Sequence, residues 1–241
     1  MKKLDGKTAL VTGSSRGIGT YIVQTLAMEG AEVVGVARSE NGLKKVEKEV
    51  HDSGGKIKTI SFDLNEPQNI SDLVQMVESV FADGIDILVN NAGIEKYSNY
   101  SDNCLKTIQS IINVNLLAPM ELTRLLLPKM LKRESGNIIN IASLAGRKGV
   151  AYNSIYSASK AGLIKWGDGL RQELHDTNVS VSTIMPGYID SAGMFFDGGQ
   201  KAPKLLGTSA PQDVADAVLK AIKTGKGEII VNKGPMKPLL A

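Results

Sequence analysis

Tyr156 and Lys160, in Tyr156-Ser157-Ala158-Ser159-Lys160, are the two residues of this sequence best suited to moving a proton together. On a helix a four-residue spacing sets both side chains on one face, so the ammonium can sit close to the phenol. A phenol ordinarily keeps its proton to about pH 10, and a nearby cation favours its ionised form. Such a phenol can act as a general acid or base closer to neutrality. Ser143, just after a predicted strand, adds a hydroxyl able to steady an oxygen on which charge develops. Taken alone, the tyrosine–lysine spacing describes an ordinary solvated helix face. Its weight depends on where the rest of the chain puts it.

A second cluster lies near the start, in Val11-Thr12-Gly13-Ser14-Ser15-Arg16-Gly17-Ile18-Gly19. Thr8 to Val11 is a short apolar run of the kind a buried strand shows. Ile18, Ile22, Leu26 and Ala27 then recur at helical spacing, with Gly30 as the stop. A glycine-rich turn between strand and helix aims backbone N–H groups and the helix N-terminus at one point, which suits a phosphate. The glycines fall at G-x3-G-x-G rather than G-x-G-x-x-G, so the loop by itself is also compatible with a plain tight turn.

Strands and helices alternate through the remainder. Strands are expected at 32–37, 57–62, 85–89, 136–141, 179–185 and 228–232, with helices at about 40–52, 67–81, 155–175 and 212–223. A long helical region, about 102–131, contains Pro119 and Pro128, which should bend it or reset its register. With no linker or repeat, the pattern implies parallel βαβ units with helices on both faces of one sheet, and a single domain over 1–241. In such doubly wound sheets ligands bind outside the carboxyl ends of the strands. The segments 13–19, 37–39, 63–64, 90–93, 143–147 and 186–191 all follow strands, so they share that edge. The tyrosine, lysine and serine therefore face the glycine loop.

Composition narrows the class. A net charge of +3 over 241 residues is too small to imply nucleic acid. The one cysteine, Cys104, forms no internal disulfide, and His51 and His175 offer no metal-ligand spacing. Met1 to Gly6 lacks the apolar stretch of a signal peptide, and no run is expected to span a membrane. The plain expectation is a cytoplasmic protein.

With these residues in order, the sequence resembles the short-chain dehydrogenase/reductase family over nearly its whole length. The likeness is carried by the glycine loop, Asn90-Asn91-Ala92-Gly93, Asn115 in Asn113-Val114-Asn115-Leu116, Ser143, Tyr156 with Lys160, and Pro186-Gly187. It implies a Rossmann fold, a doubly wound seven-stranded parallel sheet, and hydride transfer between a nicotinamide and a carbonyl or alcohol carbon. Under it Tyr156 is the proton donor, and Ser143 bonds the substrate oxygen. Lys160 holds the nicotinamide ribose and lowers the tyrosine pKa, while Asn115, in preference to Asn113, positions a water linking Lys160 to solvent. Gly13, Ser15, Arg16, Gly17, Ile18 and Gly19 would cradle the cofactor phosphates. Asp63 and Leu64 would border the adenine, Asn91 the adjacent ribose, Ile189 the carboxamide, and Ser191 would touch the cofactor.

The segment after the second strand reads Ala37-Arg38-Ser39, with no acid before Glu40. An acid there would repel a 2′-phosphate, whereas Arg38 and Arg16 suit one, so NADP(H) is expected over NAD(H). A merely solvated Arg38 is the alternative. The loop at about 188–210, with Met194, Phe195 and Phe196 between glycines, suits a lid over a small carbonyl or alcohol substrate, or equally a local core patch. The first half most resembles bacterial 3-oxoacyl-acyl-carrier-protein reductases, while the ending resembles broad-substrate ketone and aldehyde reductases. An NADP(H)-dependent carbonyl reductase is therefore expected. The alternatives are a 3-oxoacyl reductase, with Lys129, Lys132, Arg133, Arg147 and Lys148 as a basic patch for an acidic carrier, and a non-catalytic NADP(H) sensor. By analogy the enzyme is a homodimer or homotetramer.

Overall fold

In a computed structural model, which describes residues 2–191, 194 and 207–234, seven strands form one parallel sheet. They are β1 (Thr8–Thr12), β2 (Glu32–Ala37), β3 (Lys56–Ser61), β4 (Ile87–Asn90), β5 (Gly136–Ile141), β6 (Val179–Pro186) and β7 (Glu228–Val231). Their spatial order is β3-β2-β1-β4-β5-β6-β7. The order reverses between β1 and β4, and a crevice opens at such a switch point. The expected apolar lid at Phe195 and Phe196, and the tail 235–241, lie outside the described residues.

Alternation along the strands supplies two cores. Ala9 and Val11 of β1 face one layer, with Ile22, Val23 and Leu26 of α1 (Ile18–Met28) and Val214 and Val218 of α7 (Pro211–Thr224). Leu10 between them faces the other layer, with Leu73 and Val77 of α3 (Ile70–Val80) and Leu122, Leu126 and Met130 of α5 (Ala118–Lys132). Helix α6 (Ser154–Glu173) adds Leu170 to this second layer, and α2 (Glu40–Asp52) adds Val46 and Val50 to the first.

The long helical region departs from expectation in an informative way. The chain forms α4 (Leu105–Ile112), then a π-turn over Asn113–Leu117, and then α5. The register resets ahead of Pro119, which lies in the first turn of α5, where no N–H is needed. Pro128 sits inside α5 without ending it. The whole stretch Leu105–Lys132 is 28 residues and apolar enough to meet the length of a membrane span, contrary to the sequence expectation. Its apolar side chains Leu122, Leu126 and Met130 are instead buried against the sheet.

Candidate active site

The carboxyl edge of the sheet carries a cavity of about 530 Å³. Gly13, Ser15, Arg16, Gly17, Ile18 and Gly19 line one end of it. The loop is shaped by glycine chemistry. Gly13 has φ +69°, and a Cβ built on Gly19 would lie 2.0 Å from the Gly13 carbonyl oxygen. Helix α1 starts at Ile18 with no side-chain cap and no acid in its first turn, leaving its N-terminal N–H groups for an anion. Arg38, Asp63 and Leu64 line the cavity beside the loop, with the Arg38 guanidinium 3.8 Å from the Asp63 carboxylate.

Asn91 lines the cavity too, but its amide is occupied. It donates to the carbonyls of Thr12 at 2.9 Å and Gly13 at 3.2 Å, while Thr12 Oγ1 accepts the backbone N–H of Asn91 and Ala92. The β1 and β4 loops are thereby stitched together across the switch point.

At the other end stand Ser143, Tyr156, Lys160 and Ile189. Ser143 caps the short turn Leu144–Gly146 by accepting from the Ala145 N–H at 3.1 Å. Lys160 is buried and donates to the Ile141 carbonyl at 2.8 Å, its Nζ 5.7 Å from the centre of the Tyr156 ring. Asn115 lies behind the cavity wall, fully buried. It accepts from the Ile94 N–H at 2.8 Å and donates to the Ile94 carbonyl at 2.9 Å and to Ser159 Oγ at 3.0 Å. Its rival Asn113 turns away and donates to the Asn65 carbonyl. Both follow from the π-turn, which resets which residues of this stretch face α6.

Ser191, at φ +58°, turns its hydroxyl back to bond the carbonyl and carboxylate of Asp190. The Tyr156 phenol is not lowered by Lys160. Burial pushes it above the ordinary value, the Glu95 charge adds to that, and the Ser143 hydroxyl beside it pulls the other way. Lys160 itself is pushed down from 10.5 to about 8, because burial opposes its charge more than Glu95 supports it. Near neutrality the site therefore holds a protonated phenol above a charged ammonium.

That burial has a measurable signature. The unfolded chain binds the Lys160 proton up to its ordinary pKa and the folded chain only to about 8, so the cost of burying the charge is full below pH 8 and relieved between about 8 and 10.5. Thermal melts of wild type and Lys160→Met across this range should show the wild type gaining on the variant as pH rises. A constant difference would contradict it.

Sequence reasoning missed Glu95 and Asn153, which also line the cavity and bond each other at 2.7 Å. Glu95 lies two residues past the 90–93 segment at the carboxyl edge, and that position was the available signal. Asn153 sits where a helix cap is expected, yet its side chain makes no cap bond to α6. Among the five candidate basic residues, Lys129 pairs with Glu78, Arg147 pairs with Glu228, Arg133 bonds the carbonyls of Asp83 and Ile85, and Lys148 lines the cavity.

Comparison with known proteins agrees with this geometry. The family model for short chain dehydrogenases matches residues 7–198. A ketoacyl reductase, HetN, of a Nostoc species is 53% identical over 98% of this chain and 82% of its own length. Among solved structures, a metagenomic short-chain oxidoreductase in complex with NADP is 33% identical, covering 96% of this chain and 98% of that one with a TM-score of 0.81. The L-sorbose reductase of Gluconobacter frateurii, complexed with NADPH and L-sorbose, is 27% identical, covers 98% of both chains and has a TM-score of 0.87.

Proposed function

The chain belongs to the short-chain dehydrogenase/reductase family, and on that premise we propose that it reduces a ketone to a secondary alcohol with NADPH, Tyr156 giving the proton. The observation that carries the reading is Tyr156 beside Ser143, with the buried Lys160 5.7 Å from its ring centre, all on the cavity that begins at the glycine loop.

The cofactor fits the residues present. The gap left by Gly13 and Gly19 and the uncapped start of α1 suit a pyrophosphate. Exposed Arg38 suits a 2′-phosphate, and Asp63 beside it holds the guanidinium at the rim. When bound, NADPH supplies the hydride for the carbonyl carbon. The chain does the rest. Ser143 and Tyr156 donate hydrogen bonds to the carbonyl oxygen, and Tyr156 releases its proton to that oxygen as negative charge develops. Lys160 would hold the ribose and stabilise the phenolate left behind. Asn115 Oδ1 and Lys160 Nζ both approach Gly93, each 3.5 Å from where a Cβ would stand on it, so the water assigned to Asn115 would link the two near this glycine.

Parallel fluorescence titrations with NADPH and NADH test the cofactor assignment. NADPH should bind more tightly, and Arg38→Ala should cut that preference roughly tenfold or more, the worth of a charge-assisted bond to phosphate. An unchanged preference would move the 2′-phosphate site elsewhere.

A second reading, reduction of a 3-oxoacyl thioester, is favoured by the relative named as a ketoacyl reductase. Against an acidic carrier protein stand Lys129 and Arg147, whose charges are paired elsewhere. An acetoacetyl thioester turned over far faster than simple ketones would favour the second reading. We place the enzyme in the cytoplasm as a homodimer or homotetramer on family analogy alone.

A further inference from the structure

We infer that Glu95 and Asn153 form a specificity subsite that recognises a hydrogen-bond donor, a hydroxyl or protonated amine, on the substrate next to its reacting carbonyl. The inference rests on the reductase reading above and goes beyond it by naming a substrate feature.

Glu95 is partly buried, and no cation among the described residues pairs with it. Asn153 is 5% exposed and gives its amide N–H to the Glu95 carboxylate at 2.7 Å. An ionised carboxylate only accepts, so this bond fixes which end of the amide faces it. The other end, Asn153 Oδ1, is then an acceptor, and it is buried without a partner. The alternative use of the side chain, capping α6, is not taken up. Leaving such an oxygen unpaired is costly unless a donor arrives.

The two groups belong to the reacting end of the cavity. Asn153 stands one turn before Tyr156 at the start of α6, and the Glu95 charge is felt by both Tyr156 and Lys160. The same cavity wall holds Ile94, Val150 and Leu144, together with Tyr97, whose phenol feels the Glu95 charge. The Glu95 carboxylate, steadied by the Asn153 amide, presents an acceptor to this wall. It complements a donor, and a simple hydrocarbon chain leaves it unmet.

A matched set of ketones tests this with NADPH oxidation as the readout: 3-hydroxybutan-2-one, 3-methoxybutan-2-one and 3-(dimethylamino)butan-2-one. Wild type should prefer the hydroxy or the protonated amino ketone over the methoxy ketone by about tenfold or more in kcat/KM, chiefly through KM. The better of the two identifies the donor. Glu95→Leu should abolish the preference, read as the ratio of kcat/KM between the ketones, with NADPH titration and circular dichroism showing that the variant is folded. Glu95→Gln, which keeps one acceptor, should recover part of it, and Asn153→Ala should weaken it. Equal use of all three ketones by wild type, or a preference that survives Glu95→Leu, would overturn the subsite and leave the reductase reading standing. Oxidation of NADPH with no ketone at all, including unsubstituted ones, would overturn both.

Discussion

Replacing Tyr156 with phenylalanine should lower turnover by about two to four orders of magnitude, the usual worth of a positioned general acid, while leaving NADPH binding close to wild type. The variant removes one oxygen from a side chain that is otherwise packed: Tyr156 is 8% exposed at the start of α6. Nothing in the glycine loop or around Arg38 depends on that oxygen. What is lost is the proton that must reach the developing alkoxide. Ser143 can still hydrogen-bond the substrate, so a small residual rate should remain. Stopped-flow reduction with saturating NADPH separates the two effects, because a lost acid lowers kcat without raising KM. Full turnover in Tyr156→Phe would assign the acid to another group and remove the basis for the proposed mechanism.

Gly19→Ala should abolish tight cofactor binding outright. The added Cβ would stand 2.0 Å from the Gly13 carbonyl oxygen and 2.8 Å from the Asn91 amide. Neither neighbour can yield easily. Gly13 itself occupies a left-handed conformation, and its own Cβ position is closed by Ala92 Cα at 2.8 Å. Asn91 is pinned to Thr12 and Gly13 by two donated bonds. Relief would have to come from moving the first turn of α1, which would carry its N–H groups away from the phosphates. A titration showing wild-type affinity for NADPH in Gly19→Ala would place the phosphates away from this loop. Circular dichroism separates loss of the loop from loss of the fold.

Much of this was legible before any coordinates. Strands β2 and β5 and helix α2 fall at the residues expected, because each is bounded by its own breakers: Ser39 caps α2, and glycines follow it. The glycine loop and the tyrosine–lysine pair could be placed on one edge from alternation alone. What could not be read depends on partners distant in the chain. Pro119 signalled the register reset that lies just ahead of it, but not the π-turn's bonds, Asn113 to the Asn65 carbonyl and Asn115 to Ile94. The tyrosine pKa was expected to fall because a sequence shows the neighbouring lysine but not the burial that outweighs it. Glu95 and Asn153, 58 residues apart, give no sequence sign that they meet, although the place of Glu95 near the carboxyl edge was visible. The sequence likewise hid that two of the five basic candidates, Lys129 and Arg147, have acids, Glu78 and Glu228, beside them.

Asn115 joins three pieces of chain that a protein could otherwise adjust one at a time: the segment after β4 through Ile94, the π-turn itself, and α6 through Ser159. The acid and its lysine are thus mounted on a chassis whose parts cannot drift independently. Inheritance should respect that division. Changes along the Asn115 joint must come together or not at all, whereas the wall around Glu95 can vary singly. A lineage could then try new ketones by altering residues such as Val150 or Tyr97 without resetting its chemistry.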